Sequence, residues 1–458
     1  MGDRERLLRD TKSAYDKMPE GQWEEIEKYS AGYKAFLDAG KTERECAAEA
    51  VRQAEQCGFK PYIRGMRLSP GDKVYSEKFG KAVMLVTAGQ KSLAHGLRIA
   101  ATHIDSPRLD LKSYPLYEES GFALLKTHYY GGIKKYQWMT IPLELRGVVF
   151  LADGSRVYVS IGSGEDEPVL FISDVLPHLG ADQAKKPVSE AFPGEGLNVT
   201  AGTLPHPEQG DGRVKLAVLA LLERKYGMTE TDFMSAELCL VPAGRARDAG
   251  LDGSLIGAYG HDDRSCAYAA FRAMLDTAAP EYTSVCIMAD KEEIGSEGIT
   301  GMQSEFFDAV LCDMCLGQGV DPSLCYENSF CLSADVCNAL DPNFADVSDS
   351  MNNARIGFGP GVFKATGSRG KSGASDASAE TVSRLRSLLD KNNIPWQMGE
   401  LGKVDKGGGG TVAKYIANRG IEVIDIGVPV ISMHSPFEVV SKIDCYLTYR
   451  ACAALYEG

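Results

Sequence analysis

A chain of 458 residues is longer than one ordinary core and predicts two or three domains. At 44% hydrophobic and 24% charged it is globular in composition, and 49 Lys and Arg against 63 Asp and Glu, a net charge of −14, exclude nucleic acid and anionic membranes as partners. The N-terminal stretch MGDRERLLRDTKSAYDK has neither the apolar centre of a secretory signal nor the Ser or Thr of a myristoylation motif. No apolar run approaches the ~18 residues of a membrane span. A soluble, cytoplasmic protein is expected, in which the 12 cysteines are reduced thiols.

Glu24 to Phe36 is periodic enough for a helix ending near Gly40. Thr42-Glu43-Arg44-Glu45 reads as a capping box, in which the Thr hydroxyl and the Glu carboxylate each accept from an otherwise free backbone N–H. It opens a second helix with Cys46, Ala47, Ala50, Val51 and Ala54 on one face and Gly58 just past its end. Residues 73–89 suggest a hairpin, and Leu97 to Asp105 a further strand. From about 106 to 237 the pattern is β-rich, with Ile141–Val149 and Arg156–Ile161 flanking the turn Ala152-Asp153-Gly154. Pro177 to Gly212 is too long and too rich in Pro and Gly for an ordinary connection, so it is expected to be mobile or functional. Val214 to Tyr226 gives a helix closed by Gly227.

After about 238, strands and helices alternate: strands 238–242, 284–289, 308–316 and 421–427, and helices 264–275, 376–390, 411–418 and 440–456. Alternation of this kind predicts an α/β fold, a sheet flanked by helices, here interrupted by a β-rich insertion. The expected division is 1–105 with 238–458 for the α/β domain and 106–237 for the insertion. Cys312-Asp313-Met314-Cys315, with Cys325, Cys331 and Cys337 nearby, raises a zinc knot or a redox pair. Against both, Ala309 to Leu316 reads as a buried strand, and the second C-x2-C half of a four-cysteine zinc site is missing. Gly407–Gly410 reads as a tight loop.

The reactive side chains fall at element ends. Strand 284–289 stops at Asp290-Lys291-Glu292-Glu293-Ile294-Gly295. Neighbours on a regular strand point to opposite faces, so Glu292 and Glu293 serve one site only if the backbone leaves strand geometry there. Gly295 and Gly298 permit that; otherwise the pair is a solvated acidic turn. His103-Ile104-Asp105 closes another strand with imidazole and carboxylate on one face, and a His ligand commonly hands its second N–H to a carboxylate. His434 follows the apolar run IDIGVPVISM, and Asp335 follows Leu332-Ser333-Ala334. His261-Asp262-Asp263-Arg264 precedes a helix that its carboxylates could cap. Imidazole and carboxylate donors without thiolate suit Zn2+, Mn2+ or Co2+, and a shared carboxylate can bridge two ions about 3.5–4 Å apart. Metal-assisted hydrolysis is the chemistry this pattern suggests.

In content and order, THIDSPRLDLK, GHDDRSCAYAA, DKEEIGSEG, LSADVCNALDPN and GVPVISMHS resemble the motifs of the aspartyl aminopeptidase family of dinuclear zinc exopeptidases. The resemblance also takes in the N-terminal helices, the Tyr130-Gly131-Gly132 turn and LFISDVLPHL, and so spans nearly the whole chain. It implies the zinc exopeptidase type of α/β fold, the inserted domain serving dimerisation. It further implies that His103 and Asp335 bind one metal, Glu293 and His434 the other, and Asp262 both. Asp262 is preferred to Asp263 because related dinuclear sites use the first acidic residue of such a pair. Glu292 would be the general base toward a metal-bridging water, Asp105 would orient His103, and His178 of a neighbouring subunit would polarise the scissile carbonyl. The implied assembly is a tetrahedral dodecamer built from dimers, acting on short peptides.

Specificity is where the match departs. Family members that prefer an acidic N-terminal residue carry a Trp-rich segment after the Tyr-Gly-Gly turn, whereas this chain reads Ile133-Lys134-Lys135-Tyr136-Gln137-Trp138. Asn338 stands where His is common. Arg369 or Lys371 offers a cation for a substrate carboxylate, or else a solvated loop charge. The expectation is therefore an aminopeptidase for N-terminal Asp or Glu. The alternatives are a dinuclear zinc aminopeptidase for neutral or basic residues, a deacylase, and a catalytically silent assembly protein.

Overall fold

The computed structural model describes residues 3–8 and 12–458, so Met1, Gly2 and residues 9–11 of the charged N-terminal stretch lie outside the described residues. The chain forms two compact units. One comprises Met1–Asp105, Ala246–Met433 and Glu438–Gly458; the other comprises Ser106–Arg245 and His434–Phe437.

The first unit is built on a nine-stranded mixed sheet. Its centre is four parallel strands in the order Thr283–Ala289, Leu97–His103, Phe330–Ala334 and Glu422–Gly427. Ala82–Thr87 and Gly361–Phe363 flank them antiparallel, and Lys73–Lys78 pairs with Ala82–Thr87 as the expected hairpin. The central strands are apolar nearly throughout because both faces are covered. Alternate residues supply the two cores: Ala100, Cys286, Leu332 and Ile424 pack with Tyr33, Phe36, Phe271 and Leu455 on one side, while Ile99, Val285, Cys331 and Val423 pack with Leu311, Met314 and Ile416 on the other. Helices Gln22–Ala39, Glu43–Gln56, His261–Asp276 and Lys442–Glu457 supply the first layer. The capping box at Thr42 is present, its hydroxyl accepting from Glu45 N while Glu45 accepts from Thr42 N.

Residues 308–316, expected as a strand, are helical: the helix runs Phe306–Gly317. Phe307, Leu311, Met314 and Cys315 are its buried residues, spaced at four, three and one, so the apolar run has helical period and lays one stripe against the sheet. All the cysteines are free thiols.

The second unit is a six-stranded sheet, antiparallel throughout, in the order Arg156–Ile161, Leu143–Phe150, Ala236–Pro242, Arg108–Glu119, Phe122–Tyr130, Val199–Gly202. The hairpin expected around Asp153-Gly154 joins its first two strands, and Gly154 takes φ +83. Helix Arg213–Tyr226 starts where Glu118 accepts from Val214 N and Lys215 N, and ends at Gly227 in the left-handed conformation. The Pro- and Gly-rich stretch from 177 to 212 is a series of single helical turns, Pro177–Leu179, Val188–Ala191 and Gly194–Gly196, with one strand, Val199–Gly202.

Candidate metal centre

Three adjacent parallel strands end side by side, and ligands bind beyond the carboxyl ends of such strands. His103 is the last residue of Leu97–His103, Asp335 follows Phe330–Ala334, and Glu292 and Glu293 follow Thr283–Ala289. The backbone does leave strand geometry at the glutamates. Lys291 at φ +69 turns it into a single helical turn, Glu292–Ile294, and Gly295 at φ +101 takes it out again.

Donor atoms of His103, Glu292 and Asp335 all lie within 4.8 Å of one another. His103 Nε2 faces Asp262 Oδ1 at 3.3 Å, Asp335 Oδ1 at 3.6 Å and Glu292 Oε2 at 3.9 Å. This nitrogen is buried and has no well-aligned hydrogen-bond partner. Burial alone would lower the imidazole's pKa, but the carboxylates of Asp105, Asp262 and Asp335 override it and hold it well above the ordinary value. Burial pushes Glu292 up to about 8; His103 opposes the shift, and Asp335, Asp105 and Asp262 add to it. A buried imidazole ringed by carboxylates that repel one another is a site short of positive charge, and the donor set fits a zinc ion.

The supports around the cluster are less obvious in the sequence. Asp105 lies just past the strand, with Oδ1 3.3 Å from His103 Nδ1, and its carboxylate accepts from the backbone N–H of both Glu292 (3.1 Å) and Glu293 (3.2 Å). One side chain thus holds the histidine and the glutamate turn together. Asp263 is buried, and its Oδ2 accepts from His103 N at 3.2 Å. Asp262 N donates to buried Glu438 at 3.1 Å. Gly427 lies so close to the Asp335 segment that a Cβ there would sit 1.6 Å from the Asp335 carbonyl oxygen. Apart from Asp105 beside His103, these supports have no local signal, since each acts across a large sequence separation.

His434 belongs to the second unit, at φ +65, with Nδ1 2.8 Å from the Gly132 carbonyl. A carbonyl only accepts, so Nδ1 carries the hydrogen and Nε2 keeps the lone pair that a ligand needs. His178 lies in the exposed turn Pro177–Leu179 of the second unit and is not among the donors gathered at His103. Lys371 is already paired with Asp376 at 3.0 Å, whereas Arg369 stands in the same loop at φ +50.

Residues 36–456 match the family described as Aminopeptidase I zinc metalloprotease (M18). The chain is 44% identical over 464 residues to the "Probable M18 family aminopeptidase 1" of Clostridium acetobutylicum, covering 98% of each. It is 45% identical over 439 residues to that of Thermotoga maritima, covering 95% of this chain and 96% of the relative. The crystal structure of the M18 aminopeptidase from Thermotoga maritima superposes with a TM-score of 0.93 over 98% of this chain and 100% of that one, at 43% identity. Fold and site together therefore define a zinc-dependent metalloexopeptidase, a hydrolase that removes residues from a peptide end. Within that class the chain belongs to the M18 aminopeptidase family.

Proposed function

We propose that this aminopeptidase takes N-terminal Asp or Glu from short peptides in the cytoplasm and binds two Zn2+ ions per subunit, with Co2+ or Mn2+ as substitutes. The observation that carries the metal reading is the buried His103 Nε2 facing the carboxylates of Asp262, Asp335 and Glu292. His103 and Asp335 would hold one ion, Glu293 and His434 the other, and Asp262 both. Bound there, zinc would supply Lewis-acid polarisation of the scissile carbonyl and bring a water near a neutral pKa.

Glu292 accepts the proton of the attacking water and delivers it to the leaving amine. Asp105 keeps His103 and the glutamate turn in register, which is worth more than either bond alone because reacting atoms must align closely. His178, contributed by a neighbouring subunit, donates to the carbonyl oxygen as charge builds there.

Arg369 is the better cation for an acidic substrate side chain, since Lys371 already faces Asp376. A homo-oligomer, built from dimers into a dodecamer, is supported by the apolar side chains that the second unit exposes, among them Tyr114, Tyr158, Leu179 and Leu204. Saccharomyces cerevisiae mApe1, which shares the fold at 18% identity with a TM-score of 0.75, is described as a dodecamer. No helix among the described residues is long and apolar enough to cross a membrane.

Hydrolysis of Asp-, Glu-, Leu- and Lys-anilides by the zinc-loaded protein, with a chelated control, tests the reading. Chelator-sensitive cleavage led by Asp or Glu is expected. Preference for Leu or Lys would overturn the substrate and keep the chemistry, and cleavage that survives exhaustive chelation would overturn the metal reading.

A further inference from the structure

The place of Asp262 depends on the residue before it. His261 is fully buried with both ring nitrogens engaged: Nε2 lies 3.1 Å from the Ile256 carbonyl and Nδ1 2.7 Å from the Tyr33 hydroxyl. Because a carbonyl only accepts, Nε2 carries the hydrogen, and Nδ1 must accept from the Tyr33 O–H. Ile256 belongs to strand Leu255–Ala258, just ahead of the helix that opens at His261, while Tyr33 belongs to helix Gln22–Ala39, 228 residues away in sequence. Tyr33 is itself fully buried and packs on Tyr268 at 5.4 Å and on the His261 ring at 5.7 Å. On the other side of the junction Asp262 N donates to Glu438. Residues 261 and 262 are thus gripped from three elements. Packing alone does not call for an imidazole here, since an apolar ring would fill the space without burying two polar nitrogens.

We infer that Tyr33 and His261 are positioning residues for Asp262: the Tyr33 hydroxyl fixes the tautomer and orientation of His261, which in turn directs the Asp262 carboxylate into the metal centre. The inference rests on Asp262 being a ligand, as proposed above. Buried partners that hold a ligand from behind typically change metal affinity by about 10–100-fold when removed.

Tyr33→Phe deletes one oxygen and keeps the ring packing. Wild-type, Tyr33→Phe and Asp262→Asn apoproteins would be titrated with Zn2+ against a chromophoric chelator and melted in excess chelator. Wild-type protein that takes up no zinc, or Asp262→Asn that takes it up like wild type, overturns the ligand reading itself. With those controls in order, Tyr33→Phe should bind zinc about tenfold or more weakly while its metal-free melting temperature moves little. His261→Gln keeps a donor for Ile256 and lacks Nδ1, so it should show a similar loss. The double variant should lose no more than either single one, because both break the same bond. Unchanged zinc affinity in Tyr33→Phe, or losses that add, overturns the inference. If the variants do not fold, the side-chain 15N resonances of His261 in the wild-type apoprotein decide: a hydrogen on Nε2 is expected, and one on Nδ1 overturns it.

Discussion

Replacing Glu292 with Gln keeps the shape of the side chain and removes its charge. In the metal-free protein that charge is unfavourable: burial, with Asp335, Asp105 and Asp262 close by and His103 opposing them, moves the carboxyl from 4.5 up to about 8. At about 1.4 kcal/mol per pH unit, full ionisation would cost ~5 kcal/mol. The side chain is 19% exposed, and water together with small movements of the neighbouring carboxylates screens the repulsion, so about 1–2 kcal/mol is expected. A group whose folded value lies above its unfolded value contributes fully below 4.5, and that contribution is lost as pH rises toward 8. In chelator, wild type should lose stability across this window and Glu292→Gln should lose less, ending above wild type at the alkaline end. The zinc-loaded variant should keep its metal while turnover falls by about 10²–10⁴-fold. Calorimetric melting against pH in chelator, paired with anilide turnover of the loaded protein, measures both. Parallel pH profiles would refute the electrostatic reasoning, and full turnover would remove Glu292 as the base.

His178→Phe should lower turnover with zinc content and melting temperature unchanged, since the residue sits in an exposed turn; unaltered kinetics would take it out of the site. Gly427→Ala forces a Cβ to within 1.6 Å of the Asp335 carbonyl oxygen, so the strand or the ligand segment must move. Overpacking of this kind costs about 1–3 kcal/mol, and zinc uptake should weaken with it; wild-type uptake in a zinc titration would count against the close approach. In the second unit the Lys225 ammonium, helped by the N–H groups of Gly164 and Ser163, lowers Glu167 from 4.5 to about 2, and Gly162 N also donates to it. Its stabilisation is present above 4.5 and lost as pH falls toward 2, so Glu167→Gln should cost about 1 kcal/mol near neutrality and nothing in strong acid. A loss independent of pH would show that the charge is not what matters.

The α/β class was legible because strand and helix periods alternate cleanly after residue 238 and the apolar runs are long. The glutamate turn was legible too: a strand that halts at two adjacent carboxylates followed by glycines can bring both to one site only by breaking geometry, and Lys291 and Gly295 do break it. The helix Phe306–Gly317 was misread because eight consecutive mostly apolar residues satisfy a buried strand as well as a buried helix stripe. Strand order was beyond reach. Nothing local places Thr283–Ala289 between Ala82–Thr87 and Leu97–His103, a pairing that depends on packing rather than propensity. The same holds for Glu438, Asp263 and Gly427, whose roles exist only once distant segments meet.

Because His103, Asp335 and the glutamate turn stand at the ends of three strands that meet only as neighbours in one parallel sheet, no fragment lacking one of those strands brings these side chains together. A nascent chain that has emerged only as far as the glutamate turn has an imidazole and carboxylates but lacks Asp335 and the Glu422–Gly427 strand that braces it. On the ligand set proposed above, tight zinc capture would report that synthesis has passed this point and that the central sheet is in register. An ion held there would act as a checkpoint of completed folding, and incomplete chains would compete poorly for a scarce metal.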